Sequence, residues 1–206
     1  MPTLAPSKIV CVGRNYAAHA RELGNDVPRE PLIFLKPPSS LIRSGEPIRL
    51  PTVSKQVEYE GEIGVVVSKR LRHATPAEAK AAVGGIVAAN DVTARDLQKS
   101  DGQWTRAKGF DTFCAVGPVA AAPSDLASLA VTTRVNGEVR QRGKASDMVF
   151  DIPSILAYIS NVMTLEVNDL VLTGTPDGVG TLAPGDVVEV EIAGASRVSN
   201  PVTRDT

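Results

Sequence analysis

The apolar residues of this chain arrive in short runs cut by glycine or proline, and that punctuation constrains the fold more than any other feature. Glycine occurs 17 times and proline 15 times in 206 residues, as frequent tight connections require. No apolar stretch approaches the roughly 18 residues of a membrane-crossing helix. The runs, rich in Val, Ile and Leu, read instead as strands at 8–12, 32–35, 59–67, 86–89, 131–135, 138–142, 170–173 and 187–192. Asn136-Gly137 separates two of them and suits a two-residue hairpin turn. Helices are expected at 17–23, where Gly24 can end one, at 76–83, with Pro76 in the first turn, and at 152–162, with Asp151 as cap. Strands dominate, so the predicted class is α+β.

No repeat, linker or composition shift divides the sequence, which predicts a single domain over 1–206. Hydrophobic residues are 43% and charged residues 22%, a folding composition rather than a disordered one. Net charge is −1 with no basic block, which argues against nucleic acid or a membrane surface as the main partner and toward a small molecule. Cys11 and Cys114 lie inside apolar runs and are expected as buried free thiols of a reducing compartment. Residues 1–7 contain no positively charged segment followed by an apolar run, so the expected location is cytoplasmic.

Side chains alternate along a strand, so Glu60 and Glu62 of the 59–67 run share a face, about 7 Å apart. Hard carboxylate oxygens at that spacing suit Mg²⁺, Mn²⁺ or Ca²⁺; an edge strand with a solvated acidic face gives the same pattern. Asp91 follows the apolar run 85–89, and a carboxylate at the end of a buried strand needs a compensating partner. A metal would supply one; capping a helix that starts at Thr93 would be another use for it. His19 and Glu22, three apart on the first helix, can pair on one face as a general base or as an ordinary surface pair. By composition alone, Arg95 and Lys108 read as surface cations.

Five motifs run in order along the chain: Cys11-Val12-Gly13-Arg14-Asn15-Tyr16, Tyr59-Glu60-Gly61-Glu62-Ile63, Asn90-Asp91-Val92-Thr93-Ala94-Arg95-Asp96-Leu97-Gln98, Trp104-Thr105-Arg106-Ala107-Lys108-Gly109-Phe110-Asp111, and Thr173-Gly174-Thr175-Pro176-Asp177-Gly178-Val179-Gly180. The ordered set resembles the fumarylacetoacetate hydrolase family in its short, single-domain form, which includes acylpyruvases, fumarylpyruvate hydrolases and oxaloacetate decarboxylases. The resemblance implies a mixed, strongly bent β-roll with short flanking helices, usually a homodimer. It implies that Glu60, Glu62 and Asp91 hold one divalent cation, Mg²⁺ with Mn²⁺ or Ca²⁺ as substitutes. It places Arg95 and Thr175 at the substrate, Gln98 and Lys108 at a developing oxyanion, and the His19–Glu22 pair at catalysis. Glu58, where aspartate is frequent, and Ser68, where glycine is, depart from the pattern and are expected to touch no proposed ligand.

The implied activity is hydrolysis of a carbon–carbon bond in a small 2,4-dioxo acid of the acylpyruvate or fumarylpyruvate type, through a pyruvate enolate held at the metal. Oxaloacetate decarboxylation and isomerisation of a 2-hydroxyhepta-2,4-diene-1,7-dioate use the same enol chemistry and stand as alternatives. A non-catalytic oxo-acid-binding protein is the reading from another class, and the His19–Glu22 pair argues against it. Residues 17–31 join one short polar helix to Gly24, Asn25 and two prolines, and are expected to form a mobile lid.

Overall fold

The computed structural model describes residues 4–205; residues 1–3, part of the amino-terminal segment considered above, lie outside them. Seven strands make one mixed sheet in the order β2 (Leu32–Lys36), β1 (Ile9–Gly13), β12 (Leu170–Leu172), β6 (Gly61–Val67), β7 (Val83–Asp91), β9 (Cys114–Val116) and β3 (Leu41–Arg43). The β1/β12 and β9/β3 pairs are parallel and the rest antiparallel. A second sheet runs β11 (Glu138–Lys144), β10 (Ala130–Val135), β14 (Val187–Ile192), β15 (Ser196–Arg204) and β4 (Ile48–Leu50). A small third sheet joins β13 (Gly180–Thr181), β5 (Val57–Tyr59) and β8 (Thr93–Ala94). The strand-dominated α+β class and the curled mixed sheet match the expectation.

Both faces of the seven-stranded sheet are buried. Val10, Val12, Ile63 and Val65 pack toward the second sheet and the helix α5 (Ile152–Val162), while Ile9, Cys11, Val66 and Leu170 enter a smaller cluster on the other face. This explains why the central strands read as continuous apolar runs rather than alternating ones. Both cysteines are free and buried. The Asn136-Gly137 hairpin forms, with φ of 54° and 83° at its two turn residues, and Asp151 caps α5 by accepting a hydrogen bond from the Ser154 amide at 2.8 Å.

Two expectations need correction. The predicted continuous strand 59–67 is broken at Glu60 into β5 and β6, which belong to different sheets. The bend is stitched to the neighbouring strand: the Glu60 amide donates to Asn90 Oδ1 at 3.0 Å, and the Glu60 carbonyl accepts from the Asp91 amide at 2.8 Å. Asp91 is also no helix cap. The helix after it, α3 (Arg95–Asp101), begins four residues later and has Ala94 at its N-cap position.

Candidate functional site

Glu60, Glu62 and Asp91 are each at most 4% exposed, and each offers an oxygen within 4.8 Å of those of the other two. The solvated-edge reading of the Glu-x-Glu pair therefore fails, because β6 is a central strand. The glycine between them is obligatory: a Cβ on Gly61 would sit 1.9 Å from Thr133 Oγ1 of β10. Strand β6 presents Glu62, the bend presents Glu60, and the end of β7 presents Asp91.

Cations surround this triad. Lys108, at the end of α4 (Thr105–Lys108), donates to Glu60 Oε2 at 2.7 Å and to Asp91 Oδ2 at 2.6 Å. Lys36 donates to Asp91 Oδ1 at 2.6 Å and to the Val92 carbonyl at 3.1 Å. Arg95 spreads over three side chains, with Nε on Glu58 at 2.8 Å, Nη1 on the Gln98 carbonyl oxygen at 2.6 Å, and Nη2 on Glu60. Arg95 and Lys108 are each 2% exposed, so neither is a surface cation.

The charges are unevenly compensated. Burial would raise the Glu60 carboxyl, but Lys108 and Arg95 hold it well below the usual carboxylate range. Burial, then the charges of Asp91 and Glu60, push Glu62 well above that range, although the Gly174 amide donates to its Oε2 at 2.7 Å. That amide is aimed by a left-handed turn, with φ of 99° at Gly174. Three buried oxygen donors, one of them held up by burial and by like charge, fit a hard divalent cation, which would relieve the repulsion.

A cavity of about 440 Å³ opens above the triad, lined also by Arg14, His19, Glu22, Arg95, Gln98, Lys108 and Thr175. The nine residues assigned from the sequence to metal, substrate or catalysis thus line one space. His19, on α1 (Ala17–Glu22), is 4% exposed, with Nδ1 3.2 Å from Glu22 Oε2. Glu22 Oε1 in turn accepts from the Gly178 amide at 3.0 Å, which ties the helix to the glycine-rich loop. The Thr175 hydroxyl donates to the Gly61 carbonyl at 2.9 Å and accepts from Gln141 Nε2 at 2.8 Å.

Sequence reading missed three supporting residues. Glu58 hydrogen-bonds none of the three carboxylates but grips Arg95, which in turn holds Glu60. Gln141, the buried residue of an otherwise mostly exposed β11, accepts from the Gly61 amide at 2.9 Å while donating to Thr175. Lys36 is 1% exposed. A lysine closing the apolar run before Pro37 was open to the argument applied to Asp91, that a charge ending a buried strand needs a partner.

The His19–Glu22 pair and the buried oxygen triad line one cavity beside a curled mixed sheet. The chain belongs to the fumarylacetoacetate hydrolase family: the domain described as fumarylacetoacetate (FAA) hydrolase C-terminal matches residues 8–203. The mitochondrial oxaloacetate tautomerase FAHD1 of Arabidopsis thaliana is 45% identical over 96% of this chain and 92% of its own length. The crystal structure of 2-hydroxyhepta-2,4-diene-1,7-dioate isomerase from Mycobacterium marinum is 45% identical with a TM-score of 0.90, over 98% of this chain and 76% of that one. Fumarylpyruvate hydrolase from Pseudomonas aeruginosa, solved in complex with Mn²⁺ and pyruvate, is 32% identical with a TM-score of 0.92, over 99% and 92%.

Proposed function

We propose that this chain is a divalent-metal-dependent enzyme that moves a proton at the carbon beside the oxo group of a small 2-oxo acid, interconverting enol and keto forms. The observation that carries the reading is that His19, braced by Glu22, shares one cavity with Glu60, Glu62 and Asp91. Those three carboxylates would hold Mg²⁺, or Mn²⁺ or Ca²⁺ in its place, which when bound supplies a Lewis acid for the substrate's oxo group and adjacent carboxylate. His19 takes the proton through Nε2, while Glu22 on Nδ1 fixes the tautomer and supports the imidazolium. Lys108 uses two of its three N–H donors on Glu60 and Asp91 and keeps one for negative oxygen. Gln98 accepts from Arg95 through its oxygen, which leaves its amide nitrogen to donate there as well. Arg95 retains donors beyond the three already engaged for the substrate carboxylate.

Hydrolysis of a 2,4-dioxo acid is the second reading, favoured by the likeness to the Pseudomonas hydrolase. In it the same His19–Glu22 pair takes its proton from water, which attacks the distal carbonyl; oxaloacetate decarboxylation would use the site without that water. The test follows oxaloacetate tautomerisation and decarboxylation, and acetylpyruvate and fumarylpyruvate cleavage, with Mg²⁺ or Mn²⁺ and after chelation. Metal-dependent turnover of at least one is expected, and no metal-dependent rate on any would overturn the proposal. The reading includes a homodimer, checked by light scattering against twice the 21.7 kDa chain mass.

A further inference from the structure

Each carboxylate of the triad has one oxygen held by a donor that is itself anchored. Glu60 Oε1 accepts from Arg95, which is braced by Glu58 and Gln98. Glu62 Oε2 accepts from the Gly174 backbone amide, and Asp91 Oδ1 accepts from Lys36. The remaining oxygens are Glu60 Oε2, Glu62 Oε1 and Asp91 Oδ2. Lys108 bridges the first and the last of these, but it lines the cavity, where a substrate oxygen is an alternative partner.

Lys36 has no such alternative. It is 1% exposed and is not among the side chains lining that cavity. Its ammonium meets the Val92 carbonyl at 3.1 Å and lies 6.0 Å from the centroid of the Phe113 ring, and Asp91 is its one acidic partner among the described residues. The pair also joins distant parts of the sheet. Strand β2 is at an edge and β7 lies four places along from it, so Lys36 reaches Asp91 across the curl rather than from a neighbouring strand. A lysine this buried is stable only with a well-placed partner, and the placement fixes Asp91 in return.

Ca²⁺ takes roughly 6–8 oxygens in adaptable geometry and often uses both oxygens of a carboxylate, whereas Mg²⁺ demands a near-ideal octahedron. Three single oxygens fill half an octahedron and leave the other half for substrate and water. We infer that Lys36 is a positioning residue that holds Asp91 to one ligating oxygen, Oδ2, and that the site thereby selects Mg²⁺ over Ca²⁺. The inference rests on the metal-dependent reading above and narrows the cations that the triad accepts.

The test follows Mn²⁺ bound to the protein by electron paramagnetic resonance while Mg²⁺ or Ca²⁺ displaces it, which yields the ratio of their two dissociation constants without substrate. The wild type should bind Mg²⁺ more tightly than Ca²⁺. Lys36→Met, neutral and of similar length, frees Oδ1 and should move the ratio toward Ca²⁺ by roughly 10–100-fold, the range over which such outer partners tune metal sites. Loss of the ammonium charge alone would strengthen both cations, which carry the same charge, and leave the ratio where it was. A wild type that prefers Ca²⁺, or a variant with the wild-type ratio, overturns the inference. A crystal structure of the Mn²⁺-loaded wild type decides the matter even if the variant does not fold. Asp91 should bind through Oδ2 alone with Lys36 still on Oδ1, and coordination through Oδ1 or through both oxygens overturns the assignment. Absence of Mn²⁺ binding to the wild type would defeat the metal reading itself, whereas Mn²⁺ bound without a preference for Mg²⁺ over Ca²⁺ defeats only the role given to Lys36.

Discussion

Asp91 divides its two oxygens between two buried lysines, Oδ1 to Lys36 and Oδ2 to Lys108. If repulsion among the acids dominated there, removing the charge would spare the fold. The two lysines reverse that expectation, since Asp91→Asn leaves both ammonium groups short of a counter-charge. We expect it to destabilise the protein by roughly 3–5 kcal/mol, as breaking a buried ion pair does, and to weaken Mn²⁺ binding. Denaturant unfolding and calorimetric titration measure the two effects separately, and a variant as stable as wild type would show that the lysines tolerate the loss. His19 tests the chemistry. His19→Ala should slow tautomerisation or hydrolysis roughly 10²–10⁴-fold, the usual contribution of a positioned base. Decarboxylation, which needs mainly an electron sink, should suffer less. Losses within a few-fold in every reaction would mark His19 as a structural residue.

At the scale of elements, legibility followed the source of each element's stability. The hairpin about Asn136-Gly137, α5 with its Asp151 cap, and β14 were legible because local turn chemistry, capping and β-branched density all pointed one way. Strand β15 was not: Ser196, Asn200 and Pro201 make it polar. Its alternation is real but uses polar residues inward, with Ser196 Oγ accepting from the Ala88 amide at 2.9 Å and Asn200 Nδ2 donating to the Arg43 and Glu46 carbonyls at 2.7 and 2.8 Å. Those partners are more than 100 residues away, so no local window contains the signal. The break at Glu60 was likewise hidden from any local window, since Asn90 and Gln141, 30 and 80 residues from the amides they accept from, make it. Residues 17–31 remain the proposed lid. Besides the buried His19, Ala20 and Pro31, the segment exposes most of its surface, and Val27 is 41% exposed. Its amides should exchange quickly in the free protein and slow once Mn²⁺ and a 2-oxo acid are bound. Slow exchange that the ligands leave unchanged would remove the lid.

For the whole molecule, the decisive closure joins the first strand to one late in the chain. Strand β1 pairs in parallel with β12, more than 150 residues later, and Asp169, just before β12, clamps that junction. Its Oδ1 accepts from the Ser7 hydroxyl at 2.6 Å and from the Ser7 and Lys8 amides at 3.1 and 3.2 Å, while Oδ2 accepts from the Glu166 amide at 2.8 Å and faces the Lys8 ammonium. Burial alone would raise this carboxyl, but Lys8, Ser7 and the Glu166 amide outweigh it and hold it below the ordinary aspartate value. A carboxyl depressed in the folded state stabilises above its unfolded value, about 3.9, and that stabilisation disappears as pH falls through the lower folded value. Asp169→Asn should therefore cost roughly 1.5–3 kcal/mol at neutral pH, the scale of hydrogen bonds to a charged group. The stability gap to wild type should narrow progressively below about pH 4. Urea midpoints measured from pH 7 down to the acid transition would follow it, and a gap that stayed constant with pH would show that the clamp works through packing rather than through the charge on Asp169.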